Sequence, residues 1–144
     1  MRQILLLVVV TILTGCAAVR HHEAAAPLRF DGVYQSERID EYYYYLRFFS
    51  DGTVIEVSST DQPEALRKWF SRGHPGVSTG VVRIEGSHLG FSVTSDVGVV
   101  DYTGEIEGDQ LRLDSYSHIN RHQDRRWYSF VKWQDEPKDA PDKK

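Results

Sequence analysis

From Leu28 to Trp133 the chain alternates apolar and polar residues with period two, punctuated by short turns that pair Gly with Asp or Ser. This pattern restricts the segment to antiparallel strands, each burying one face. Read as a two-residue hairpin turn, Asp51-Gly52 pairs Phe49 with Val54, Phe48 with Ile55, Arg47 with Glu56 and Leu46 with Val57. One face then collects Tyr42, Tyr44, Leu46, Phe48, Ile55 and Val57. The other carries an Arg47–Glu56 cross-strand pair beside Tyr43 and Tyr45. A second turn, Gly86-Ser87, pairs Ile84 with Leu89 and Val82 with Phe91. A third, Gly108-Asp109, pairs Ile106 with Leu111 and, on the opposite face, Glu105 with Arg112. The last strand, Trp127–Trp133, is apolar on both faces, and the pattern leaves open which side points inward.

The period breaks once. Asp61-Gln62-Pro63-Glu64 has the form of a capping box with proline in the first turn. Leu66, Trp69 and Phe70 follow at helical spacing, so the pattern predicts a short helix over Gln62–Ser71. That face either packs on the strands or lies over the mouth of whatever they form. The strands fall at about 28–35, 42–49, 53–59, 77–85, 88–95, 98–107, 110–118 and 127–133. Short sequential connections predict an all-β fold: a single eight-stranded antiparallel up-and-down barrel, with the helix between strands 3 and 4. A two-sheet sandwich of the same strands is the alternative.

The ends of the chain read differently. Residues Met1–Cys16, MRQILLLVVVTILTGC, place Arg2 before an apolar run, Ile4–Leu13, that is too short to span a bilayer and suits a signal peptide. Leu13-Thr14-Gly15-Cys16 resembles the lipobox of bacterial lipoproteins. The resemblance implies cleavage before Cys16, diacylglycerol on its sulfur, and membrane anchoring through two or three acyl chains. With Ala17 rather than Asp after the cysteine, it also implies an outer-membrane anchor facing the periplasm. The domain layout is then a leader over 1–15, a lipidated tether over 16–27, a β-domain over 28–133 and a charged, disordered tail over 134–144.

Tyr45-Leu46-Arg47-Phe48-Phe49-x-Asp51-Gly52-Thr53-Val54, followed by Ser59-Thr60 and Pro63-Glu64, resembles a stretch of the C-terminal β-domain of certain eukaryotic F-box proteins. It is also similar to small bacterial lipocalin-like proteins. Gly32-Val33-Tyr34 is similar to the lipocalin Gly-x-Trp motif, with Tyr in place of Trp. These likenesses imply a calycin-like barrel. The motif's usual basic partner on the last strands would be Arg125, Arg126 or Lys132. They carry over no catalytic residue.

Charge and chemistry narrow the function. The formal net charge of −4 argues against a nucleic-acid partner. The single cysteine excludes an intramolecular disulfide and any multi-cysteine metal centre. His118 and His122 have a spacing that suits a metal only on a helix, and here they straddle a strand end. Asp96, Asp101, Glu105, Glu107 and Asp114 alternate with apolar residues, as a solvent face does. No Gly-x-Ser-x-Gly elbow or phosphate loop is present. The expectation is a non-catalytic protein without metal or cofactor. Its barrel would hold a small apolar or lipid ligand against Tyr42, Tyr44, Leu46, Phe48 and Phe91, with Trp69 near the opening. The competing expectation is an accessory lipoprotein that docks an envelope protein through its outer surface.

Overall fold

A computed structural model describes residues 27–134. The expected leader, Cys16 and the expected tether up to residue 26 lie outside the described residues, as does the expected tail from residue 135. Eight strands run in chain order: β1 (Gly32–Ser36), β2 (Tyr43–Phe48), β3 (Thr53–Ser59), β4 (Ser78–Glu85), β5 (His88–Ser95), β6 (Gly98–Glu107), β7 (Gln110–Ser117) and β8 (Gln123–Lys132). Each pairs antiparallel with its neighbour, and β1 pairs β8 with Tyr34 opposite Phe130. The sheet is therefore a closed up-and-down barrel, as expected, and the sandwich alternative falls.

Two of the three hairpin registers are as expected. Ile84 faces Leu89 and Val82 faces Phe91; Ile106 faces Leu111 and Glu105 faces Arg112. Both turns place a glycine first with φ near 64°, the two-residue geometry whose twist matches the strands. The first hairpin is different. Phe48 faces Val54, Arg47 faces Ile55 and Leu46 faces Glu56, one residue out from the expected pairing. Its loop holds three residues, not two. Phe49 N–H donates to Thr53 O, Gly52 N–H donates to Phe49 O, and Gly52 sits at φ 87°. This is a turn followed by a left-handed glycine, the three-residue loop that Asp-Gly also serves.

That slip of one residue turns β3 over. Ile55 and Val57, expected inside, face outward, and Glu56 points into the barrel. Arg47 and Glu56 lie on opposite faces and form no pair. Arg47 instead lies between the rings of Phe49 and Trp133, 4.5 Å from each, and donates to Phe70 O.

The core consequently has two parts. Inside the barrel are Leu28, Tyr34, Leu46, Phe48, Val54, Leu89, Phe91, Val93, Tyr102, Ile106, Leu111, Leu113 and Tyr128. Outside, Val33, Tyr45, Ile55, Leu66, Phe70 and Trp133 form a second cluster. This second cluster exists because the helix lies on the outer face of β1–β3, not across a mouth. The helix is a 3₁₀ helix over Pro63–Phe70, shorter than predicted. Its N-cap makes no side-chain hydrogen bond. Glu64 does not reach back to complete a capping box; it pairs with Arg67 and accepts from Gln134 N. Asp61 contributes its carbonyl, which accepts from the Tyr45 hydroxyl at 2.8 Å. Burial under the helix, with Tyr43 and Asp61 nearby, pushes the Tyr45 hydroxyl up to about 12. Pro63, Leu66 and Phe70 are buried, whereas Trp69 is 38% exposed. Leu66→Ala should therefore destabilise the domain by roughly 2–5 kcal/mol, the cost of an unfilled hydrophobic site. Urea unfolding checks it, and a loss below about 1 kcal/mol would mean that the outer cluster is marginal.

The ambiguous last strand is longer than predicted, beginning at Gln123. Tyr128 and Phe130 belong to the interior, while Val131 and Trp133 join the outer cluster and Trp127 is exposed. Ile84, expected to line the core, is 44% exposed.

Candidate functional site

The interior is filled at one end and open at the other. At the end bearing the 49–52, 86–87 and 108–109 turns, aromatic rings stack into a plug. The Arg29 guanidinium lies 4.0 Å from the Phe130 ring centre, and Phe130 packs edge-on to Tyr34 at 5.1 Å. Tyr34 meets Phe48 at 5.7 Å, Phe48 meets Phe91 at 5.5 Å, and Phe91 stacks on Tyr102 at 4.8 Å. Edge-to-face and offset geometries of this kind suit the quadrupoles of the rings. Arg29 N–H donates to the Tyr34 hydroxyl, so the residue in the Gly-x-Trp-like position is held from the N-terminal segment. The expected partner from the last strands is not in that place: Arg126 lies over Tyr44 instead, at 3.9 Å.

Above the plug the lining turns polar. Tyr102 on β6 donates to Glu56 Oε1 on β3 at 2.7 Å. These strands are not neighbours, so the bond crosses the lumen. Arg126 pairs with Asp124 at 2.6 Å, beyond ion-pair distance of Glu56. Tyr128 Oη is buried nearby and has no hydrogen-bond partner among the described residues. Burial pushes the Glu56 carboxyl above its ordinary value, against the opposing pull of the Tyr102 hydrogen bond and the Arg126 charge. Burial, and then the Glu56 charge, push Tyr102 and Tyr128 upward as well.

Glu56 forms the floor of a cavity of about 240 Å³ that opens at the mouth. Its walls combine Val57, Trp69, Val77, Val93, Val97 and Ile119 with the serines Ser58, Ser78 and Ser95. Trp69 reaches it from the end of the outer helix and is packed against His74, ring centres 4.9 Å apart. Of the residues expected to bind a ligand, only Trp69 lines this cavity. Leu46, Phe48 and Phe91 are brought together, but as core and plug. Tyr44 is half-buried beneath Arg126. Tyr42, expected to line the interior, is 50% exposed in the β1–β2 turn, bridged to Ile39. Cys16 lies outside the described residues.

Glu56, Tyr102, Arg126 and Tyr128 were not foreseen as a group. The signal for Glu56 was present in the Ser50-Asp51-Gly52 run, which fits a three-residue loop as well as a two-residue one. No local signal links β3 to β6 across a lumen.

Two broader concavities, about 740 and 710 Å³, lie on the outer face of β4–β8 and are wide open to solvent. There Asp101 accepts from Ser92 Oγ and pairs with His118 Nε2, each at 2.6 Å. Serine and histidine share the carboxylate and do not bond to each other. The arrangement therefore lacks the serine–histidine hydrogen bond of a Ser-His-Asp triad. Arg112 bridges Glu105 and Glu107, and Arg125 pairs with Asp114. The carboxylates expected on a solvent face are on one, and they are largely paired.

Glu56→Gln isolates the electrostatics of the mouth. A carboxyl whose folded value is raised binds its proton more tightly folded than unfolded, so its contribution to stability falls as pH rises past the unfolded value of 4.5. The amide keeps an acceptor for Tyr102 and carries no charge. Glu56→Gln should therefore raise the melting temperature at pH 8 and change it little at pH 4. Equal melting shifts at both pH values would show that Glu56 is not desolvated.

Comparison with protein-family models, curated proteins and solved structures finds no match to this chain.

Proposed function

We propose that this chain is a lipoprotein of the cell envelope, anchored in the outer membrane through Cys16 and facing the periplasm. Its lipocalin-like barrel binds a small ligand at the open mouth without catalysing a reaction. The observation that carries the binding reading is the mouth cavity: a concave site in which valines and one aromatic side chain, Trp69, alternate with the polar groups of Glu56, Ser58, Ser78 and Ser95, which can orient a small molecule. Its volume of about 240 Å³, above a plug of packed rings, suits a small molecule and leaves no room for a lipid chain inside the barrel. The anchoring reading rests on Leu13-Thr14-Gly15-Cys16 after an apolar run.

Native mass spectrometry of the full chain, extracted in detergent from cells, tests both parts. Acylation appears as a covalent mass that Cys16→Ser removes. A ligand appears as a further stoichiometric mass, lost on denaturation and lost when Val97→Trp fills the mouth. A non-acylated chain sinks the anchor; a clean mass together with no ligand-dependent change at the mouth sinks the binding reading.

The second reading, docking of an envelope protein through the outer surface, is favoured by Trp127 and Val81, exposed on the faces of β8 and β4 that the helix leaves uncovered. Crosslinking in cells from position 127 distinguishes it.

A further inference from the structure

We propose that the mouth cavity takes a small organic cation, a primary or methylated ammonium group on a short apolar stem, with the Glu56 carboxylate as its counter-ion. The inference rests on the binding reading above and names the ligand's chemical class.

Three observations converge. The first is the charge balance of the polar layer. Arg126 spends its charge on Asp124 at 2.6 Å and its face on the Tyr44 ring at 3.9 Å. Glu56 faces this layer with Tyr102 from β6, Tyr128, Arg126 and Asp124 from β8, and Tyr44 from β2. Among the described residues it has no ion-pair partner of its own. The Arg126 charge reaches it only from beyond ion-pair distance and is shared with Asp124, so the carboxylate is incompletely compensated, and in a partly desolvated place it attracts a further cation more than one in water does.

The second is the direction of its hydrogen bonding. Tyr102 occupies Oε1 as donor, and no described residue donates to the other oxygen. That oxygen belongs to a residue lining the cavity, so the site presents a hydrogen-bond acceptor to whatever enters. An ammonium group has donors and no acceptor, whereas an incoming carboxylate would meet like charge.

The third is the wall. Trp69 lines the same cavity, and the face of an indole attracts cations. Around it Val57, Val77, Val93 and Ile119 offer apolar contact for a short hydrocarbon stem, and Ser58, Ser78 and Ser95 add hydroxyl oxygens that can accept from an ammonium group. No lysine or arginine is among the lining residues.

The test uses three probes of similar size, n-butylammonium, 1-butanol and butyrate, added to the full chain in detergent at pH 7.5. The readout is the NMR signal of the Trp69 indole N–H, assigned by its absence in Trp69→Phe. Saturable binding of butylammonium, at least tenfold tighter than butanol or butyrate, is the expected result. Glu56→Gln should bring butylammonium down to the level of butanol. Ser78→Lys, opposite Glu56 on β4, supplies a tethered ammonium and should block butylammonium even if Glu56→Gln fails to fold. Equal or tighter binding of butanol or butyrate overturns the cation while leaving the mouth as a binding site. Undiminished butylammonium binding in both variants also overturns it. If none of the probes moves the Trp69 signal, the mouth admits no molecule of this size, and the binding reading falls with the cation.

Discussion

Phe48→Asp should abolish folding of the domain. Phe48 is 1% exposed and sits at the middle of the aromatic plug, between Tyr34 and Phe91. Truncating such a ring costs about 3–5 kcal/mol for lost burial and the cavity left behind. Placing a carboxylate there adds the penalty of an unpaired charge in an apolar site. Together these match or exceed the whole stability of an ordinary small domain, about 5–15 kcal/mol. The near-ultraviolet circular dichroism of the stacked rings should vanish, and amide protons of β2 and β5 should exchange freely. The control is Ile84→Asp. Hydrophobic patterning puts Ile84 on the same inner face, but it is 44% exposed. Its melting temperature should stay close to that of the unsubstituted chain. If Phe48→Asp melts normally, the plug is not the core of this barrel.

Gly104→Val should be equally severe for a different reason. A Cβ added at Gly104 lies 1.9 Å from Arg112 O, 2.9 Å from the Arg112 carbonyl carbon and 3.0 Å from Leu113 Cα. All three atoms are backbone of the paired strand, with Gly104 directly opposite Leu113. No rotamer relieves such a clash, so β6 and β7 would have to separate. The substituted chain should be recovered unfolded or aggregated, with loss of the β-sheet circular dichroism signal. Gly90→Ala is the matched control, because its Cβ meets nothing closer than Tyr102 O at 3.7 Å. It should fold with a stability change within about 1 kcal/mol. A soluble, cooperatively folded Gly104→Val would mean that these two strands do not approach as closely as described.

The two substitutions also mark what patterning does and does not convey. Val82–Phe91 and Ile106–Leu111 were legible because Gly86-Ser87 and Gly108-Asp109 each admit one residue count, and alternation then carries the register along both strands. The Asp51-Gly52 turn admits two counts, and period two makes that single residue decisive. The choice moved Glu56 from a solvent-exposed pair to the floor of the mouth, and Ile55 from the interior to the outer cluster. Trp69 was recognised as a residue near an opening, although the helix bearing it packs on the side of the barrel. Tyr42 was misplaced because four successive tyrosines give alternation no polar residue with which to tell in from out.

By itself, the sequence determined the class, the number and order of strands, the position of the one helix, and the two glycine-first hairpins. Each follows from interactions between residues close in the chain, where turn geometry and side-chain period leave few choices. The tertiary structure alone decided closure of β1 on β8, the inward face of β8, and the side on which the helix lies. It also decided that aromatic rings fill one end while Glu56 and Tyr102 meet across the other. The physical reason is volume. β1–β3 and β8 are apolar on both faces, and only the limited space within a closed eight-stranded barrel selects which face is enclosed. The rejected face must then be covered from outside, and Leu66 and Phe70 cover it.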